Sequence, residues 1–168
     1  VPNWCMNTLT VRGEEAPLGK FKEAAQATVT HRVDPLQTPV YLPLSFEALC
    51  PSPDEMNPLK NPEGKGWLEH RIRAWGTKWE LDDQTQVEDW PDMLRYDFDT
   101  AWTPPLPVVV VASESHPDLQ FELVYAEPGC DFSGRVLIQA GEILEQSEGV
   151  FRDSPWYDES QDEDQDSV

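Results

Sequence analysis

The stretch LQFELVYAEPGCDFSGRVLIQ, from Leu119 to Gln139, decides the fold. Polar and apolar residues alternate over Leu119 to Ala126 and again over Ser133 to Gln139, the period of a half-buried strand. Between them Glu127-Pro128-Gly129 is a turn sequence, so the two strands form an antiparallel hairpin. Gly129 and Gly134 serve the turn and a bulge or close backbone contact. For Glu127 and Asp131 a hairpin role is favoured over a binding role.

Working outward, Trp102 to Asp118 sets two rules against each other. Val108 to Val111 is β-branched and argues for a strand. Thr103 before Pro104 and Pro105 is a helix-start signal, and Leu106, Val109, Val110 and Ser113 stand at helical spacing. A helix is the choice, because the following strand needs a crossover before it. Met93 to Phe98 alternates as a strand, and Asp82 to Pro91 reads as a polar connection. Trp67 to Trp75 forms a helix stopped by Gly76, followed by an extended piece, Thr77 to Leu81. Pro51 to Gly66 is a loop with four prolines and two glycines. Leu44 to Leu49 reads as a strand or extended segment, and Thr28 to Pro43 as irregular. Asn7 to Arg12 is a strand, and Leu18 to Ala27 a helix.

The chain has 168 residues, enough for one core without disulfides or metal. Its longest apolar run, Val108 to Ala112, is far too short to span a bilayer. The first residues lack the basic-then-apolar pattern of a secretory signal. Cys5, Cys50 and Cys130 are odd in number and widely spaced, which points to free thiols and a cytoplasmic protein. After Glu145 the composition turns acidic and poor in apolar residues. The sequence therefore predicts a folded domain over residues 1–145 and a largely disordered tail over 146–168.

Charge is the strongest compositional signal: 32 acids against 12 bases, a net of −20. Asp153 to Val168 contributes seven acids and no Lys or Arg, yet the rest still holds 25 acids against 12 bases. Such a surface repels nucleic acid and anionic membrane and attracts basic proteins or cations. The plainer reading is that the acids only keep the protein soluble.

Several blocks together resemble a known family. They are Pro2-Asn3-Trp4-Cys5 with Asn7, Leu9-Thr10-Val11 and Gly13; Ser45-Phe46-Glu47 with Pro51; Trp75-Gly76-Thr77-Lys78-Trp79; Thr100-Ala101-Trp102-Thr103-Pro104-Pro105; and Tyr125 to Gly134. Over about residues 1 to 141 the chain resembles the YubB-like ferredoxin-like domain family of phage and plasmid proteins. The resemblance implies an α+β ferredoxin-like sandwich, an antiparallel sheet with helices on one face, here with N-terminal and middle insertions. It carries no catalytic residues with it. Val1 stands where that family has its initiating Met, which points to an alternative start codon. Three scattered cysteines cannot supply an iron–sulfur cluster, and no cofactor is expected.

Trp4, Trp67, Trp75, Trp79 and Trp102 are expected to fill the core, in preference to forming a base-stacking platform, which would need flanking cations. Gly64-Lys65-Gly66 is too short for a phosphate loop. His31, His70 and His116 have no partner at i+3 or i+4, so no metal site is expected. No nucleophile signature surrounds any cysteine. No EF-hand loop is present, which sets a calcium protein last.

Glu80, Asp82, Asp83, Glu88, Asp89 and Asp92 form a dense acidic stretch, with Asp97 and Asp99 nearby. Carboxylates along a loop and strand edge could imitate the row of phosphates on DNA, which carries one charge per about 1.7 Å of axis. These six residues are the candidate partner-binding site. The expected function is non-enzymatic: a mobile-element protein that binds a basic host protein or ribonucleoprotein complex, of the anti-CRISPR or anti-restriction type, as a DNA mimic and without touching nucleic acid itself. The rival expectation is an accessory interaction module whose acidity serves solubility.

Overall fold

The computed structural model describes residues 1–29 and 38–163. Along the chain run β1 (Trp4–Arg12), α1 (Glu15–Ala25), β2 (Ala27–Val29), β3 (Val40–Leu42), α2 (Phe46–Leu49), α3 (Trp67–Trp75), β4 (Gln86–Trp90), β5 (Met93–Ala101), α4 (Leu106–Ser115), β6 (Gln120–Glu127), β7 (Phe132–Gln139), β8 (Glu142–Gly149) and α5 (Ser160–Glu163). Six strands form one antiparallel sheet in the order β4-β5-β1-β6-β7-β8. Strand β1 sits at its centre, between β5 and β6.

The unit β1-α1-β4-β5-α4-β6 is a ferredoxin-like βαββαβ arrangement. The β2-β3 ribbon, α2 and α3 are inserted after α1, and β7 and β8 extend the sheet beyond β6. Because β5 and β6 both run antiparallel to β1, they are parallel to each other and need a crossover. That requirement decides the contest at Val108–Val111 in favour of the helix α4, which buries Val108, Val109 and Ala112 on the sheet.

Strand alternation sorts the sheet into two faces. Cys5, Leu9 and Val11 of β1, Leu94, Tyr96 and Phe98 of β5, Phe121 and Leu123 of β6, and Val136 and Ile138 of β7 point to the helices and form the core with Leu18, Phe21 and Trp75. Phe21 sits at its middle, edge-on to both Tyr96 and Phe121. The opposite face carries Trp4, Met6, Thr8, Thr10, Arg95, Asp97, Asp99, Glu122 and Arg135, and no helix of the described residues covers it.

Several expectations are corrected. Leu44–Leu49 is not a strand. Its residues 46–49 form α2, where the Ser45 hydroxyl accepts from Ala48 N and the Glu80 carboxylate accepts from Phe46 N and Glu47 N. Thr77–Leu81 is a bent loop rather than an extended segment. The polar connection Asp82–Pro91 contains the edge strand β4. Of the irregular reading of Thr28 to Pro43, residues 30–37, with His31, lie outside the described residues, and the remainder contributes to β2 and β3. The boundary set at residue 145 falls inside β8, whose backbone pairs with β7 as far as Gly149. Beyond it the Ser133 hydroxyl donates to Val150 O, and Phe151 N donates to the Asp131 carboxylate. Trp156 then reaches the open sheet face. Residues 164–168 of the expected tail lie outside the described residues.

Candidate functional site

The six acids predicted to act as one row do not form one. Glu80 is a structural group: its two oxygens accept from Ser45 Oγ, Phe46 N, Glu47 N and Leu81 N at 2.8–3.0 Å. Glu88 and Asp89 are neighbours on β4, so their side chains leave opposite faces of the sheet. Glu88 stands opposite Arg95 on the open face. Asp89 lies on the helix side, 2.6 Å from Lys22 Nζ of α1. Asp92 is in the β4–β5 turn, where its carbonyl accepts from Gly13 N. Asp82 and Asp83 are exposed in the loop before β4, and Asp82 accepts from Gln84 N. A period-two strand passing through the stretch divides what had read as a continuous row.

The open face mixes charges. Arg135 bonds Glu122 at 2.8 Å and Glu145 at 3.0 Å, Arg12 approaches Glu122, and Arg95 pairs with Asp97. The exception is the end of the face near β4, β5 and the start of β1. There a cleft of about 360 Å³ is lined by Trp4, Asp82, Thr85, Asp97, Asp99 and Trp156, among others, and by no Lys or Arg. Asp97 is held by Thr8 Oγ1 at 2.6 Å and by Arg95. Asp99 has no ion pair among the described residues. Its carboxyl is raised above the ordinary value by partial loss of solvent and then by the charge of Asp82. Asp97, Asp99, Thr85 and the two tryptophans were not in the predicted site. The register Met6↔Asp99 and Trp4↔Ala101, which brings Trp4 beside Asp99, is a tertiary fact the sequence pattern does not contain.

The expected tryptophan core is also corrected. Trp75 is buried, with its Nε1–H donating to Cys50 O, and Trp67 is partly buried against the Arg71 guanidinium. Trp4, Trp79 and Trp102 are exposed at 44%, 40% and 44%. Trp4 is on the open face by strand parity, and its ring lies 5.9 Å from that of Trp79, which in turn receives Lys78 Nζ at 4.3 Å from the ring centre.

The Tyr125–Gly134 block has a structural role. Glu127 is buried beneath the β6–β7 turn and accepts from Gly129 N at 2.5 Å and Cys130 N at 2.8 Å. Asn3 closes the turn from the N-terminal block, donating to Cys130 Sγ. Burial pushes the Glu127 carboxyl up, but hydrogen bonds from the Cys130 thiol and the Cys130 and Gly129 N–H groups outweigh it, and the net position is below the usual carboxylate value.

All three thiols are held in the protonated form. Burial raises Cys5 to about 12, burial and then Glu47 raise Cys50, and the hydrogen bond to Glu127 raises Cys130. His116 packs edge-on against Phe21, and burial lowers its pKa. Among the described residues no group of three or more His, Cys, Asp or Glu is placed to hold a metal ion, and no helix is long and apolar enough to cross a membrane.

The protein is thus a ferredoxin-like α+β sandwich with one open, aromatic and charged sheet face. It belongs to the family described as the ferredoxin-like domain in Api92-like proteins, whose model matches residues 74–166. That match runs from the end of α3 past α5, so the family domain includes β8 and the segment that follows it. The crystal structure of the protein Api92 from Yersinia pseudotuberculosis superimposes with a TM-score of 0.67 at 9% identity, covering 89% of this chain and 98% of that one. At that identity the likeness speaks for the fold alone. No curated protein matches the chain in sequence.

Proposed function

We propose that this is a non-enzymatic binding protein that docks a basic partner through an anionic part of its surface. The observation that carries the reading is the Asp82–Asp97–Asp99 cleft, which no Lys or Arg lines, in a chain of net charge −20. Asp97 is paired with Arg95, but Asp82 and Asp99 have no matching cation among the described residues; their repulsion is costly to the free protein, and a cationic partner relieves it. The contact surface in this reading is Asp82, Asp83, Asp97 and Asp99 with the exposed Trp4. Glu80 and Asp89 contribute to the fold.

The finer reading is a protein of a phage or plasmid, YubB-like, acting in the bacterial cytoplasm on a nucleic-acid-handling defence complex. The acid surplus and the resemblance support it. A partner that normally holds nucleic acid presents Lys and Arg, and an anionic protein competes for them. The test is capture from host lysate on the immobilised full chain, eluted with a salt gradient and repeated with Asp82→Lys/Asp99→Lys. The expected result is a retained nucleic-acid-handling complex released as salt rises and missing from the variant. Retention that neither salt nor charge reversal alters would overturn the reading.

A second reading has its own support. Arg12, Arg95 and Arg135 pair with acids across the rest of the open face, as expected of a soluble interaction module without a coherent anionic field. Capture insensitive to salt but lost on Trp4→Ala would favour it.

A further inference from the structure

We infer that the cleft between Trp4 and Trp156 is a receptor for a single arginine side chain of a protein partner. This deepens the proposed anionic docking surface by naming the group that enters it.

Three independent features meet in the cleft. The first is charge: among the described residues Asp99 has no ion pair, and Asp82 accepts through one oxygen, from Gln84 N. The second is an orphaned hydroxyl in the wall. Thr85 is only 8% exposed and lines the cleft, and its enclosed Oγ1 has no hydrogen-bond partner among the described residues. A buried hydroxyl is ordinarily satisfied, so a guest whose entry turns this one toward it gains a hydrogen bond that the free protein lacks. The third is aromatic: Trp4 and Trp156 line the cleft. Indole faces attract cations, and on the neighbouring Trp79 the protein's own Lys78 already sits that way.

A guanidinium suits this set better than an ammonium or a metal ion. It is flat, stacks on indole, and offers five N–H donors in a fixed fork to two carboxylates and a hydroxyl. A metal ion suits the cleft less, since among the described residues no three or more His, Cys, Asp or Glu are grouped to hold one. A volume of about 360 Å³ fits a side-chain-sized guest rather than a helix or a strand.

The test is a titration of the full chain with Nα-acetyl-argininamide at low salt, following the seven tryptophan indole N–H signals by nitrogen-15 NMR. The neutral isostere Nα-acetyl-citrullinamide is run beside it. Expected are saturable shifts at Trp4 and Trp156 with Trp75 unmoved, and binding weaker by about tenfold for citrulline, which lacks the charge. Asp99→Asn and Asp82→Asn should each weaken argininamide several-fold, while Glu23→Gln on the exposed side of α1 changes nothing. An unshifted Trp75 signal certifies that the variants are folded. Equal binding of citrulline, or equal loss in Glu23→Gln, overturns the assignment. Poly-L-lysine separates this from the broader reading. If it binds wild type and Asp82→Asn/Asp99→Asn alike, the anionic surface stands and the arginine cleft falls. If it binds neither while argininamide saturates, the cleft stands and the broad surface falls.

Discussion

At the scale of single residues, the two most instructive acids are ones whose oxygens accept from the chain's own N–H groups. Glu80 reads as a member of an acidic run, yet it is the N-terminal cap of a helix 34 residues earlier in the chain. Removing it by Glu80→Ala orphans Phe46 N, Glu47 N and Leu81 N. We expect a loss of about 1–3 kcal/mol in urea unfolding, and no change in the salt at which a partner elutes. Asp82→Asn should stay within about 0.5 kcal/mol, as an exposed surface change does. Glu127 makes the complementary pH prediction. Its folded carboxyl lies below its ordinary value of 4.5, because burial is outweighed by the hydrogen bonds of the turn. A depressed folded pKa stabilises the protein above the unfolded pKa, and that stability is lost as pH falls through the folded value. The stability gap between wild type and Glu127→Gln should therefore be constant above about pH 5 and close as acid is added below it. A gap that widens toward acid would contradict this. The hairpin role of Glu127 was legible in the turn sequence around it; the role of Glu80 was not, since a capping carboxylate and a solvated one are the same letter until the fold supplies the N–H groups.

Elements were legible to the extent that they bury one face. The β6–β7 hairpin, α3 with its Gly76 stop at φ 86°, and β5 show clean periodicity because one side of each meets the core. Strands β4 and β8 are the two edges of the sheet and are exposed along nearly their whole length, so no apolar alternation marks them. The candidate site suffered from the same blindness: without β4 as a strand, Glu88 and Asp89 could not be assigned to opposite faces. The hairpin also explains Gly134, which pairs with Tyr125 and lies under its ring, so an added Cβ would strike the Tyr125 hydroxyl end. Gly134→Ala should cost about 1–3 kcal/mol by overpacking, read as a lower urea midpoint with an unchanged slope. The Lys22–Asp89 pair is a different case, because both side chains are about half exposed. Asp89→Asn should cost under about 1 kcal/mol and leave partner capture intact. A large loss of capture there would return Asp89 to the binding surface.

At the scale of the whole molecule, one variable acts on folding and binding with opposite sign. A net charge of −20 on 168 residues repels itself in the compact state. Added salt screens that repulsion, with a Debye length falling from about 30 Å at 0.01 M to about 10 Å at 0.1 M. Salt also weakens the ion pairs, but the six cations in the seven described pairs are few beside the acid surplus, so repulsion should win. Moving from 10 mM to 300 mM sodium chloride should then raise Tm, with about 2–4 °C for each kcal/mol gained in a chain of this size. Over the same range, capture of a basic partner should weaken, since the attraction is screened as the repulsion is. A rise in Tm with unchanged capture would mean that the acids act on the protein's own stability and solubility and that docking is apolar. Matched magnesium chloride adds the last discrimination. If it stabilises no more than sodium chloride at equal ionic strength, the effect is screening. If it stabilises far more, divalent cations are being bound, and Asp82 and Asp99 would be the first to substitute.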